Sequence, residues 1–315
     1  LGYNQAGAGL FRHGVPAVIQ FLSTVLSFIG LVVIFGALIL RRQPSKYARM
    51  MSRWVLGQAG LQKRSVDSPA GTQIVWQAGR GQVVVLLHGE GDQAGDWAKA
   101  LAEFPRSQYH LLIPDIAGHG ESEPASGPLD MATMLSGLTA LLEPFSSVIL
   151  VGHSMSAWLA MLYAREHPVQ VSRVLAVNGG PLRGLRTDIR LLPQDRAEAR
   201  KLIDAMRDPS SPHVADYVLD DLVRSGVRGP LARVLTAQRE SKEVLLERHL
   251  ADFPVEVDLL WGESDQLMPL SFAEQLKSEL PVARLTKIPK CGHVPHQERP
   301  EEFARVLAKV LDRTA

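Results

Sequence analysis

The chain has 315 residues, 46% of them hydrophobic and 21% charged, enough for one large domain with a sizeable core plus an appendage. A formal net charge of +1 conceals an asymmetry: residues 1–66 contain no Asp or Glu and eight basic residues, so the rest of the chain sums to −7. An acidic globule on a basic stem argues against a nucleic-acid partner, and a lone cysteine, Cys291, excludes an internal disulfide and fits a reducing compartment.

Residues 1–14 read as an N-terminal tail. Val15 to Leu40 then holds no charged residue and is dominated by Val, Ile, Leu and Phe. About 20 such residues cross a bilayer core, so the stretch is expected to be a single transmembrane helix. A cleaved signal peptide would have a shorter apolar run with its positive charge in front, whereas Arg41 and Arg42 follow this one. One Arg precedes the segment and Arg41, Arg42, Lys46, Arg49 and Arg53 follow it, which places the globule on the cytoplasmic side of the bilayer. Residues 41–64 form a basic juxtamembrane linker. Within it Tyr47, Met50, Met51, Trp54 and Val55 recur at helical spacing, which suits either a helix lying among lipid headgroups or one packed on the globule.

From residue 65 to 315 the pattern is that of one globular α/β domain. Strands are expected at Thr72–Gln77 and Val83–His88, joined by a turn around Gly79–Arg80–Gly81. A helix over Gly95–Phe104, a strand at Tyr109–Pro114 and a helix over 128–142 follow. Further strands are expected at Val148–His153, Arg173–Asn178, Val255–Gly262 and Ala283–Ile288. Strands alternating with helices predict a mostly parallel sheet covered on both faces. Between about 181 and 253 the alternation stops. Helix-like, charged stretches there (Gln194–Arg207, His213–Arg224, Lys242–Leu250) predict a helical cap inserted over the carboxyl edge of the sheet.

The chemistry gathers at strand ends. Val148–Val151 is an apolar, β-branched run broken by Gly152, and helical spacing begins at Ala157. A strand turning sharply into a helix with Ser154 at the apex is a nucleophile elbow, whose usual pattern is Gly-x-Ser-x-Gly; here Ser156 takes the last position. A serine nucleophile needs a base and a carboxylate to orient that base. Asp265 follows the strand ending at Gly262, and His293 follows the last strand through a turn containing Gly292. The order Ser, Asp, His with gaps of about 110 and 30 residues is that of α/β-hydrolases. Glu263 and His296 are rivals for the acid and the base, but Asp265 has the better offset before Pro269, and Gly292 supplies the turn beside His293. His153 and His119 read as packing residues, and Cys291 has no elbow to present it. The oxyanion-hole donors expected are the backbone N–H groups of Met155 and Glu90. No His, Cys and Asp set has metal-ligand spacing and no Gly-rich loop precedes a Lys, so neither a metal nor another cofactor is expected.

On these residues, with the His88–Gly89 turn, residues 60–313 resemble the α/β-hydrolase superfamily. The apolar N-terminal segment, the Gly60–Val66 lead-in and the Leu191–Leu192–Pro193 cap start are similar to membrane-anchored monoacylglycerol lipases. The resemblance implies an α/β-hydrolase fold, with Ser154 as nucleophile, Asp265 as orienting acid and His293 as base. It implies ester substrates of the monoacylglycerol type, taken from the lipid bilayer. A tethered esterase or C–C-bond hydrolase for small soluble substrates is the alternative, and a catalytically silent binding module a third reading. Serine at the elbow tells against haloalkane dehalogenases and epoxide hydrolases, which carry Asp there.

Overall fold

A computed structural model of the chain describes residues 14–104, 108–181, 188–227, 229–240 and 249–313. Two helices come first, α1 (Gly14–Arg42) and α2 (Pro44–Gln58). They break apart at Gln43 (φ −140°, ψ 55°), where the following proline disfavours the helical conformation, while Pro44 itself suits the first turn of a helix. The globule then runs β1 (Gln62–Ser68), β2 (Gly71–Gly79), β3 (Gln82–Leu87), a 3-10 turn (Ala94–Trp97), α3 (Ala98–Glu103) and β4 (Tyr109–Pro114). Next come α4 (Met131–Leu142), β5 (Val148–His153), α5 (Met155–Glu166) and β6 (Val171–Val177). The helices α6 (Arg196–Met206), α7 (Asp216–Gly226) and α8 (Pro230–Glu240) separate β6 from β7 (Val257–Gly262). The chain closes with α9 (Leu270–Glu279), β8 (Ala283–Ile288), α10 (Pro295–Glu298) and α11 (Pro300–Leu311).

Among the described residues the strands form one eight-stranded sheet, in the order β1-β2-β4-β3-β5-β6-β7-β8. The β1–β2 and β2–β4 pairs are antiparallel and the other pairs are parallel. The mostly parallel sheet follows from side chains that alternate between two cores. Along β3, Val83, Val85 and Leu87 pack with α4 and α5, whereas Val84 and Leu86 pack with α3 and α11. Along β5, Val148 and Leu150 face the first core and Ile149 and Val151 the second. A strand buried on both faces carries no polar side, which is why these segments read as continuous apolar runs. From β3 the chain crosses one way to β4 and later resumes on the other side with β5. The crevice outside the carboxyl ends of β3 and β5 is therefore a topological switch point, the place where open α/β sheets hold ligands.

β1 was not foreseen as a strand. Gln62 to Arg64 are exposed and the strand carries three charged residues, so only its pairing with β2, not an apolar face, defines it. α4 begins at Met131 rather than 128 because Asp130 caps it, accepting a hydrogen bond of 2.8 Å from the Thr133 N–H. The tail at residues 1–13 and most of the helix expected over Lys242–Leu250 lie outside the described residues.

The span expected over 15–40 is not upheld by the structure: among the described residues no helix is long and apolar enough to cross a membrane. The described large side chains of α1 are nonetheless exposed, among them Ile19, Phe21, Leu26, Phe28 and Leu31. α2 packs on the globule. Its Leu56 is fully buried in the core shared with α3 and α11, contributing about 2 kcal/mol of burial, while Tyr47, Met50, Trp54 and Val55 stay exposed. Ser45 at the start of α2 donates its N–H to Asp221 of α7 at 2.9 Å, tying the N-terminal helices to the region above the sheet.

Backbone passes very close to backbone at the end of β5. A Cβ on Gly152 would sit 2.1 Å from the Ser156 carbonyl oxygen. Gly152→Ala is expected to destabilise the fold by about 3 kcal/mol, because backbone rather than a flexible side chain would have to move. Thermal unfolding followed by circular dichroism should show a Tm lower by several degrees.

Candidate active site

Ser154 is the hinge between β5 and α5, with φ 55° and ψ −122°, a conformation that side-chain-bearing residues rarely adopt. Its N–H donates to the Val177 carbonyl at the end of β6, 2.9 Å away. A Cβ on Gly179 would come within 2.0 Å of the Ser154 carbonyl oxygen, so glycine is needed on that side as well. Ser156, where the elbow pattern has glycine, is fully buried, and its hydroxyl donates a short hydrogen bond to the His88 carbonyl. The departure from the pattern thus fastens the first turn of α5 to the loop after β3.

Three of the sequence candidates meet. His293 Nε2 lies 3.0 Å from Ser154 Oγ, and His293 Nδ1 lies 2.8 Å from Asp265 Oδ2. Asp265 and His293 are 3% and 2% exposed, so solvent does not compete for these contacts. The other carboxylate oxygen, Oδ1, accepts the backbone N–H groups of Leu267 and Met268, both at 2.9 Å. A hydroxyl, an imidazole and a fixed carboxylate joined in this order can pass a proton from oxygen to nitrogen while the carboxylate holds the ring.

The rivals fall away on position. Glu263 is exposed, and His296 is buried and stacked on Trp97 at 4.2 Å between ring centroids. His119 contacts the Ala117 carbonyl at 3.2 Å, and burial lowers its pKa to about 3. Cys291 is fully buried, and burial pushes its thiol up to about 12. His153 is more than packing: its Nε2 lies 2.8 Å from the His293 carbonyl, so it holds the His293 backbone.

Glu90 and Met155, the expected oxyanion donors, both line the cavity beside Ser154 and His293. His88 shapes the loop that carries Glu90. The Ile116 N–H donates to His88 Nε2 at 3.0 Å, which leaves Nδ1 as the donor to the Gly89 carbonyl at 2.8 Å. Burial lowers the His88 pKa to about 4, so the ring stays neutral and keeps this tautomer. The cavity measures about 860 Å³. Trp158, Leu202, Met206, Leu231 and Leu267 give its lining an apolar part, and Arg49 and Arg53 of α2 line it with Glu90 and Asp92.

Sequence reasoning missed Asn178. It follows β6, is fully buried, and has φ 45°. Its Nδ2 donates to Asp265 Oδ2 at 2.7 Å and its Oδ1 accepts the Gly262 N–H at 3.2 Å. The same carboxylate oxygen thus receives both Asn178 and His293. The only signal was an Asn at the carboxyl end of a strand, before Gly179–Gly180, and strand-end position alone does not reveal a partner. Asn178→Ala should lower kcat on an ester substrate about tenfold with little change in KM, since Asp265 would lose its lateral tether while the cavity stays intact. Steady-state kinetics of the two proteins check this.

The model of the Alpha/beta hydrolase family matches residues 84–306. The pimeloyl-(acyl-carrier protein) methyl ester esterase of Aromatoleum aromaticum is 29% identical over 249 residues, covering 72% of this chain and 97% of that protein. The 2-hydroxy-6-oxo-6-phenylhexa-2,4-dienoate hydrolase of Burkholderia cepacia is 26% identical over 257 residues, covering 74% of this chain and 89% of that protein. Among solved structures, a membrane phospholipase A is similar in fold with a TM-score of 0.72 at 24% identity, over 93% of this chain and 98% of that one. The switch-point crevice, the serine elbow and a family match across more than half of the sequence lead to one statement: this chain belongs to the alpha/beta hydrolase family.

Proposed function

We propose that the protein is a serine hydrolase of carboxylic esters, with monoacylglycerol-like lipids as its substrates. One observation carries the reading: the Ser154–His293–Asp265 chain, at 3.0 and 2.8 Å, opens onto a largely apolar cavity of about 860 Å³. Ser154 Oγ attacks the ester carbonyl carbon as His293 Nε2 takes the hydroxyl proton. The carbonyl oxygen, now an oxyanion, is held by the N–H groups of Met155 and Glu90. When the C–O bond breaks, His293 returns the proton to the leaving alcohol, and Ser154 carries the acyl group. A water, deprotonated by the same imidazole, releases the acid and restores the serine.

The bilayer is proposed as the source of substrate, with the globule held on its cytoplasmic side by α1. The exposed apolar side chains of α1, the basic pair Arg41 and Arg42 at its end, and exposed Tyr47, Met50 and Trp54 on α2 support this. Because α2 also contributes Arg49 and Arg53 to the cavity lining, the same helix would meet the lipid surface and the cavity. A hydrolase of small soluble substrates, including C–C-bond cleavage, is the second reading, and similarity to the Burkholderia cepacia hydrolase favours it.

The detergent-solubilised protein should label with a fluorophosphonate probe, and Ser154→Ala should not. Turnover should fall by ~10⁴-fold or more in that variant. The wild type should hydrolyse a monoacylglycerol faster than a short water-soluble ester. Preference for the soluble ester would replace the lipid reading with the second one, and a folded wild type that does not label would overturn the serine mechanism.

A further inference from the structure

Beneath the catalytic pair, three side chains from separate segments converge: Asp92 from the loop after β3, His153 at the end of β5 and His296 in α10. One ligand atom from each lies within 4.8 Å of the other two. His153 is 2% exposed and His296 is fully buried. Among the described residues, neither ring nitrogen of His296 has a hydrogen-bond partner, nor does Nδ1 of His153. Such orphaned buried nitrogens are costly, and they point toward a ligand.

The tautomer of His153 sharpens the case. Its Nε2 faces the His293 carbonyl at 2.8 Å and must carry the proton, so Nδ1 presents a lone pair. That lone pair looks toward Asp92 Oδ2, 3.9 Å away. Two acceptors turned on one another repel unless a cation or a donor stands between them. A metal-ligating histidine usually gives its other N–H to a carbonyl or carboxylate, which fixes the tautomer and leaves the remaining nitrogen for the metal, and His153 has that tautomer. Burial lowers His296 to about 3 and His153 well below its ordinary value, and it raises the Asp92 carboxyl, so all three groups are held toward their neutral forms and a cation would have to displace a proton from Asp92. Gly89 backbone passes beside both groups, and a Cβ there would fall 2.6 Å from His153 Nδ1 and 3.1 Å from an Asp92 oxygen, so a larger residue would block the space between them. Access is provided by the cavity, which Asp92 and His153 both line.

We propose that Asp92, His153 and His296 bind a divalent transition-metal ion of the zinc type, and that the bound ion restrains the hydrolase. Two imidazoles and one carboxylate suit such an ion, with a cavity water as fourth ligand. Tetrahedral bonds of about 2.0–2.2 Å set ligand atoms roughly 3.3 Å apart, so an ion would draw the three side chains together from their present spacing within 4.8 Å. The restraint, which rests on the serine mechanism above, is electrostatic. The His153 and His293 rings lie 5.1 Å apart between centroids, so a dication on His153 opposes the positive charge His293 must acquire in acyl transfer.

The test uses the full chain in detergent, stripped with a chelator and titrated with ZnCl₂ by calorimetry and with CoCl₂ by visible absorption. One equivalent should bind with micromolar or tighter affinity, at least tenfold more weakly in His296→Gln and Asp92→Asn. Cobalt in the wild type should show the intense visible bands of four-coordination, a readout that depends on no variant folding. Zinc should slow fluorophosphonate labelling of the wild type, and chelation should restore it. Absence of stoichiometric binding, affinity unchanged in folded variants, or a six-coordinate cobalt spectrum would overturn the site. Binding without slowed labelling would overturn the restraint. A protein that binds the ion but never labels would instead count against the serine mechanism.

Discussion

The conformation of Ser154 is the constraint around which the rest of the site is arranged. A non-glycine residue at φ 55° costs on the order of 1–3 kcal/mol, and the cost persists only where the surroundings enforce it. Here β5 and α5 are both buried in the core, so the turn between them cannot relax without dislodging either. Gly152 and Gly179 let backbone pass on both sides of the serine, and the Ser154 N–H is tied to β6. The Ser156 hydroxyl adds a tether to the His88 carbonyl, so the elbow and the loop carrying Glu90 are set by one another.

Asp265 and His293 are positioned by a second device, the end of α6. A helix leaves its last carbonyls without partners inside the helix. The Ala205 carbonyl accepts the Gln266 N–H at 2.9 Å, beside Asp265, and the Met206 carbonyl accepts the N–H of His293 itself at 2.7 Å. Gly292 permits this approach, since a Cβ there would fall 2.2 Å from the Met206 oxygen. Glu298 accepts the N–H groups of Gly292 and Asp208 at 2.6 and 2.8 Å, joining the loop after β8 to the stretch after α6. Asp208 is held down at about 2 by hydroxyls of Ser210 and Ser264, so it stays charged across mildly acidic conditions. The segment above the sheet therefore does two things at once: it roofs the cavity and fixes two of its reactive groups.

α2 joins outside and inside in the same way. Leu56 fastens it to the core, Arg53 lies 3.5 Å from Glu121 and 3.9 Å from Asp115, and Arg49 lines the cavity. Its opposite face leaves Tyr47, Met50 and Trp54 uncovered. A helix that is part wall and part exposed apolar surface relates whatever lies against that surface to entry into the site.

Much of this was legible in the residues. Continuous apolar runs at Val83–Leu87 and Val148–Val151 announce strands buried on both faces, and their alternation with helices gives a parallel sheet. Ser154, Asp265 and His293 stand out because each follows such a run, where position in sequence maps directly onto one edge of the sheet. β1 was hidden, because a polar edge strand is defined by its partner and not by a pattern of its own. Asn178 was hidden too, since its meaning lies in Asp265, 87 positions away. So were the shared position of Asp92, His153 and His296 and the hold of Met206 on His293, contacts made only when loops from β3, β5, β8 and α6 are brought to one place. The sequence alone determined which chemistry the strand ends carry, because local apolar pattern and turn residues decide where strands stop. Only the tertiary structure decided what holds those residues still, because hydrogen bonds between distant loops leave no periodic trace in the chain.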